Sequence, residues 1–153
     1  MNTIILCGFK SCGKTTIGQL LAKQLNREFI DTDALLLERY QAGHGRIITI
    51  GELYATLGNK QFRQFESEVI AQLDSVTMAI IATGGGSMLE RKNVQHLRKL
   101  GLIVYLSLDL EVIKQRLLAS RIPEFLKSNQ YMNFEERFQA LFAERKPIYE
   151  AIA

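Results

Sequence analysis

Gly8-Phe9-Lys10-Ser11-Cys12-Gly13-Lys14-Thr15 is the stretch on which the fold turns. Its spacing, G-x-x-x-x-G-K-[ST], is that of a phosphate-binding loop. Gly8 and Gly13 let the backbone curl so that successive N–H groups face one anion. The residues from Lys14 onward read as a helix, whose N-terminal dipole adds positive potential at the same point. The expected phosphate contacts are Gly8, Ser11, Cys12, Gly13, Lys14, Thr15 and Thr16. Lys14 is expected to bridge the β- and γ-phosphates of a nucleoside triphosphate, and the Thr15 hydroxyl to be a Mg²⁺ ligand. Cys12 reads as a small filler inside the loop.

The context on either side fits. Thr3 to Cys7 is a short β-branched-rich run that reads as a buried strand, and Lys14 to Leu25 carries apolar residues at helical spacing. Further out, Glu28-Phe29-Ile30 predicts a strand stopped by Asp31. Asp33 to Tyr40 predicts a helix, with Gly43 to Gly45 as its breaker. Ile50–Leu57 and Gln61–Leu73 predict two helices around Gly58. Met78–Ala82 and Leu102–Leu106 predict strands, with helices at Arg91–Leu100, Leu110–Ala119 and Phe134–Arg145. Residues 121–132 are polar, carry Pro123 and show no period, which predicts a mobile loop. Apolar strands alternating with helices imply an α/β fold: a central parallel sheet between two helical layers. Ligands then bind beyond the carboxyl ends of the strands. The phosphate loop, Asp31 to Asp33 and Gly84 to Gly86 all follow predicted strands and fall there.

Bulk properties set limits. A chain of 153 residues with 47% hydrophobic and 23% charged residues suits one globular domain. A net charge of +3 is mild, and without a long Lys/Arg block it does not point to nucleic acid. Two cysteines, Cys7 and Cys12, make neither a zinc motif nor a disulfide framework, which suits a reducing compartment. Thr3 to Cys7 lacks the basic leader of a signal peptide, and no apolar stretch approaches membrane-spanning length. A cytoplasmic monomer with no membrane partner is expected.

A second cluster bears on what the phosphate is transferred to. Asp31-Thr32-Asp33 follows a strand expected to lie beside the first. Two carboxylates at a strand end suit a Mg²⁺ shell and a substrate hydroxyl, or equally the N-cap of the next helix. Arg63 and Glu66 stand three apart on a helix and can pair as a salt bridge, while a guanidinium also suits a substrate carboxylate. Gly84-Gly85-Gly86 lets backbone approach a ligand closely. His44 and His96 lack metal-ligand spacing and are expected to be solvated. Phe134, Phe138 and Phe142 are expected in the core.

Taken in order, these residues resemble the shikimate kinase family. The G-K-T phosphate loop is followed by F-I-D-T-D at Phe29 to Asp33. G-x-x-x-F-R-x-x-E then runs from Gly58 to Glu66, ahead of the triple glycine and E-R-K-P-I-Y at Glu144 to Tyr149. The resemblance implies a P-loop kinase fold with a mobile lid at about 121–132, in a single domain over 1–153. It implies transfer of the ATP γ-phosphate to the 3-hydroxyl of shikimate, with Mg²⁺. Asp33 would hold the ring hydroxyls and assist deprotonation, and Asp31 would act in the magnesium shell through water. Arg63 and Arg145 would clamp the carboxylate, with the glycine run at its side. A lid arginine, Arg121 here, would reach the transferred phosphate. Arg116 is a candidate to stack on adenine, or an ordinary exposed helix arginine.

The sequence departs from the family pattern in three places. Asn59 stands where the family usually has Glu, and Arg121-Ile122-Pro123 has one residue more than the usual Arg-Pro. The family's C-terminal strand, adenine-contacting loop and helix are expected to be missing after Ala153. Two other readings stay open from the residues alone: a related small-molecule kinase acting on gluconate or a nucleoside monophosphate, and a nucleotide-binding module without activity.

Overall fold

Four apolar runs form the sheet: β1 (Thr3–Cys7), β2 (Phe29–Asp31), β3 (Ile80–Ala82) and β4 (Gly101–Tyr105). All pairings are parallel and the spatial order is β2-β3-β1-β4. A computed structural model describes residues 2–120, 122–128 and 130–153, with only the backbone of Glu124. Ile4 pairs with both Ile80 and Leu102, so β1 is central and its carboxyl end is flanked by those of β3 and β4. The expectation that β2 lies beside β1 is corrected here: β3 is inserted between them. Short apolar strands without a polar face carry no pattern that says which neighbours which.

Six helices complete the fold: α1 (Lys14–Leu25), α2 (Thr32–His44), α3 (Ile50–Ala71), α4 (Arg91–Leu100), α5 (Leu110–Leu118) and α6 (Phe134–Ile152). Their starts are chemically marked. Asp31 caps α2 by accepting from the Asp33 amide, and Thr49 with Glu52 and Asn133 with Glu136 form capping boxes on α3 and α6. One face of the sheet buries Ile5, Cys7, Ile81 and Ile103 against α4, α5 and α6 residues such as Leu97, Ile113 and Phe138. The other buries Leu6 and Ile80 against Ala22 of α1. A smaller core of Leu36, Leu53, Phe62 and Val69 joins α2 to α3.

Several boundaries move. Helix α2 runs through Gly43 to His44 and ends at Gly45, which takes φ 64° as the left-handed cap. The two helices expected around Gly58 are present: α3 consists of two helical stretches that meet at a kink, where Gly58 adopts the non-helical φ 72° and ψ 169°. Helix α6 continues through Pro147 to Ile152, well past Arg145. Tyr149, almost wholly buried, draws this last part onto the core.

The segment expected to be a mobile loop contains a 3-10 turn at Glu124–Leu126. Leu126 is fully buried in the main core, and Arg137 Nη2 donates to the Phe125 carbonyl at 2.7 Å. Arg121, the expected lid arginine, lies outside the described residues. Phe138 is buried and stacks with Phe134, as the sequence predicts. His44 is exposed, but His96 is largely buried beside Asp74, with Nε2 3.2 Å from Oδ1.

Truncating Leu126 leaves a hole in a packed core, a change that costs about 2–5 kcal/mol. Leu126→Ala is therefore expected to lower the melting temperature by roughly 5–15 °C. An unchanged melting curve would show that residues 122–128 are not anchored in solution.

Candidate active site

The carboxyl ends of β1, β2 and β3 place three loops side by side. After β1, the phosphate loop turns at Gly8, whose φ of 141° excludes other residues and whose Cα packs under the Leu106 carbonyl. Lys14 is 9% exposed and is folded back into the loop, where Nζ donates to Gly8 O at 2.9 Å and Phe9 O at 2.8 Å. Its ammonium also meets Cys12 Sγ at 3.7 Å. Cys12 is buried and its amide donates to Phe9 O, so the side chain is the filler that the sequence suggests. Ser11, Gly13, Lys14, Thr15, Thr16, Asp31 and Arg116 line an open cavity over the loop; Gly8 and Cys12 lie behind it.

Asp31 does both things that its position allows. One carboxylate oxygen caps α2, and the other accepts from the Thr15 hydroxyl at 2.9 Å. Thr15 and Asp31 therefore present two oxygens at one side of the phosphate cavity. Among the described residues no cluster of three or more His, Cys, Asp or Glu could hold a metal alone. The two oxygens of Thr15 and Asp31 match what Mg²⁺ takes from a protein when water and substrate phosphates complete its shell.

A second cavity of about 230 Å³ adjoins the first. Its cationic wall is Arg63 and Arg145, and its apolar wall includes Ile50, Tyr54, Phe62 and Phe125. Arg63 Nη1 meets Glu66 at 2.7 Å, and Glu66 is itself buried and accepts from Ser87 Oγ at 2.6 Å. The salt bridge and the ligand-facing roles of Arg63 are thus compatible: Glu66 holds one side of the guanidinium and the rest faces the cavity. Arg145 is 5% exposed, its Nε has no hydrogen-bond partner, and no carboxylate among the described residues pairs with it. Its guanidinium lies over the rings of Phe9 and Phe125, and burial pulls its pKa down. A buried cation in that state lacks an anion.

Gly84, Gly85 and Gly86 border this cavity, and their lack of side chains also serves the protein's own packing. None has a positive φ. Each leaves room for another part of the site. A methyl on Gly84 would fall 2.7 Å from Asp33 Oδ1, one on Gly85 3.3 Å from the Lys10 amide nitrogen, and one on Gly86 2.5 Å from Arg63 Cζ. The run is clamped from both sides. Gly84 N–H donates to Thr32 Oγ1 at 3.0 Å, and the buried Tyr149 hydroxyl donates to the Gly85 carbonyl. Thr32 and Tyr149 go unnoticed from sequence, because a middle residue between two aspartates and a helical tyrosine carry no chemical signature.

Asp33 stands where the two cavities meet. Burial and the neighbouring carboxylates Asp31 and Glu66 push its pKa up to about 6, against the opposing pull of Lys14 and Lys10. A carboxylate poised near neutrality between a phosphate loop and an acceptor pocket can accept a hydroxyl proton. Arg116, left open between an adenine contact and a solvated residue, donates to Ser11 O at 3.2 Å and borders the phosphate cavity. Asn59 donates to the Tyr54 hydroxyl at 2.8 Å, bracing a residue of the acceptor wall. Tyr54 and Phe125 are absent from the sequence-based site, since only chain crossing brings them to it, and Lys10 is passed over because it fills a variable position of the phosphate loop. Among the described residues, no helix is long and apolar enough to cross a membrane.

A phosphate loop at the end of a parallel sheet, opening across one carboxylate onto a second cavity, defines a P-loop small-molecule kinase. The comparisons narrow the class. A family model described as shikimate kinase matches residues 10–153, and the chain belongs to the shikimate kinase family. It is 41% identical over 148 residues to a shikimate kinase of Geobacter sulfurreducens, covering 97% of this chain and 77% of that protein. The solved shikimate kinase of Acinetobacter baumannii, in complex with shikimate, superposes with a TM-score of 0.86 at 31% identity, over 100% of this chain and 80% of that one. The Aquifex aeolicus shikimate kinase superposes with a TM-score of 0.76 at 30% identity, over 97% and 82%.

The raised pKa of Asp33 has a stability consequence. The folded state holds the proton up to about pH 6, whereas the unfolded value is near 3.8. Between those values the folded state binds more protons, so stability falls as pH rises, and the whole penalty is present above pH 6. Asp33→Asn is expected to melt roughly 2–6 °C above wild type at pH 7.5 and to lose that advantage by about pH 4. Equal melting temperatures at both pH values would remove the case for a strained carboxylate.

Proposed function

We propose that this protein transfers the γ-phosphate of ATP to the 3-hydroxyl of shikimate, giving shikimate 3-phosphate and ADP. The observation that carries this reading is Arg145: a buried guanidinium without a carboxylate partner, facing Arg63 across a cavity that meets the phosphate loop at Asp33. Two guanidiniums there call for an acidic acceptor, and a carboxylate accepts two parallel hydrogen bonds from such a group. Membership of the shikimate kinase family supplies the particular acid.

In this mechanism the Arg63–Arg145 pair and the glycine run seat the shikimate carboxylate. The apolar wall of Ile50, Tyr54 and Phe62 meets the ring. Asp33 orients the 3-hydroxyl and takes its proton as the hydroxyl oxygen bonds to the γ-phosphorus. The bond from that phosphorus to the bridging oxygen breaks, and its electron pair leaves with ADP. Lys14 turns out of its resting contacts with Gly8 and Phe9 to neutralise the β- and γ-phosphates. The amides of Ser11 and Gly13 to Thr16 hold the same phosphates. Phosphoryl transfer asks for positioning and charge neutralisation above covalent chemistry. Thr15 directly, and Asp31 through water, would hold Mg²⁺, which when bound supplies charge neutralisation on the phosphates. Arg121 is proposed to reach the transferred phosphate from a closing lid, and Arg116 to border the adenine side. We also take the protein to be a cytoplasmic monomer acting on small molecules; both its cysteines are free thiols.

An assay coupled to ADP release, run with shikimate, gluconate and AMP, tests the reading. Turnover is expected with shikimate alone. Binding of ATP without turnover on any acceptor would sink it. Lys14→Met is expected to reduce kcat by at least about 10³-fold. Arg63→Ala is expected to raise the shikimate KM about 10–100-fold while moving the ATP KM by less than about 3-fold. A uniform rise in both would make Arg63 purely structural.

A further inference from the structure

Three residues line both cavities: Lys10, Asp33 and Gly85. Asp33 is an acid and Gly85 has no side chain, so Lys10 is the single cation among the described residues at the seam. It occupies a variable position of the phosphate-loop motif, and the mechanism above does not use it. The other cations of the site are engaged or enclosed. Lys14 donates to two carbonyls, Arg63 pairs with Glu66, Arg116 donates to Ser11, and Arg145 is buried under two rings. Lys10 is exposed and its ammonium has no partner among the described residues.

Its root is held while its tip is free. Phe9, next to it, is buried edge-on against Phe138 with centroids 5.7 Å apart. The Lys10 amide packs close to Gly85, where a methyl group would sit 3.3 Å from the amide nitrogen. Asp31, Asp33 and Glu66 place three carboxylates around the point where a phosphoryl group must cross. A dianionic group passing there needs cations on more than one side, since like charges at close range cost energy that a dry site does not screen.

We propose that Lys10 is a catalytic residue whose ammonium contacts the phosphoryl group as it passes from one cavity to the other and then the phosphate of the product. The inference rests on the kinase reading above. The transfer is the one already described: the hydroxyl oxygen bonds to the γ-phosphorus, its proton goes to Asp33, and ADP leaves with the electron pair. Lys10 neutralises oxygens that carry charge throughout and exchanges no proton.

The test compares wild type, Lys10→Met and Lys10→Arg in steady-state ADP release and in titration calorimetry with shikimate 3-phosphate. For Lys10→Met, kcat is expected to fall about 10–100-fold with the shikimate KM within about 3-fold, and product affinity to weaken about 10-fold. Lys10→Arg is expected to restore kcat to within about 3-fold of wild type. Unchanged kcat and product affinity in Lys10→Met, with wild type active on shikimate, would overturn the proposal and leave Lys10 a solvated lysine. A fall in kcat that Lys10→Arg does not rescue, with product affinity unchanged, would overturn it too. Wild type without activity on shikimate would overturn the kinase reading and this proposal with it.

Discussion

The backbone of Gly84 to Gly86 is the surface on which both halves of the site are assembled. Thr32 fixes it to the end of β2 through one hydrogen bond, and Tyr149 fixes it to α6 through another. With no side chains of its own, the run lets Asp33, the phosphate loop and Arg63 approach within distances that a single methyl group would close. The acceptor pocket draws on residues from Asp33 to Arg145, while the phosphate loop is local to the end of β1. Their spacing is set where each packs on this strip of bare backbone. Phosphoryl transfer is acutely sensitive to such spacing, because its catalysis is positioning.

Charge is distributed around that strip with one imbalance on each side. On the acceptor side two guanidiniums meet one buried glutamate, which leaves Arg145 in need of an anion. On the transfer side Asp31, Asp33 and Glu66 crowd together, and Asp33 absorbs the repulsion as a raised pKa. Neither imbalance helps the empty protein fold. Both are relieved by an acidic acceptor and a cation-bound triphosphate, so the free energy withheld from folding is available for binding.

The fold class and most of the elements were legible because strands, caps and turns are local. β1, α1 and α4 fall where periodicity puts them, and the G-K-T loop announces its own chemistry. What periodicity misreads are places where tertiary contacts override local preference. Gly43 sits within a helix, and α6 runs past Pro147 because Tyr149 is buried in the core. Residues 122–128 look unstructured in sequence, since nothing local says that Leu126 fills a hole under α6. The position of β2 beyond β3 is equally silent, because strands buried on both faces look alike.

By itself, then, the sequence marked Gly8 to Thr16 as a loop suited to a triphosphate and put Asp31, Asp33 and the three glycines at one sheet edge, with Arg63 and Arg145 added by the family resemblance. Those residue types act through short-range chemistry that spacing reveals. Only the tertiary structure decided that the glycines make room for side chains, that Thr32 and Tyr149 clamp them, and that Lys10 stands at the seam of the two cavities. These are relations between residues far apart in the chain, and packing in three dimensions is what creates them.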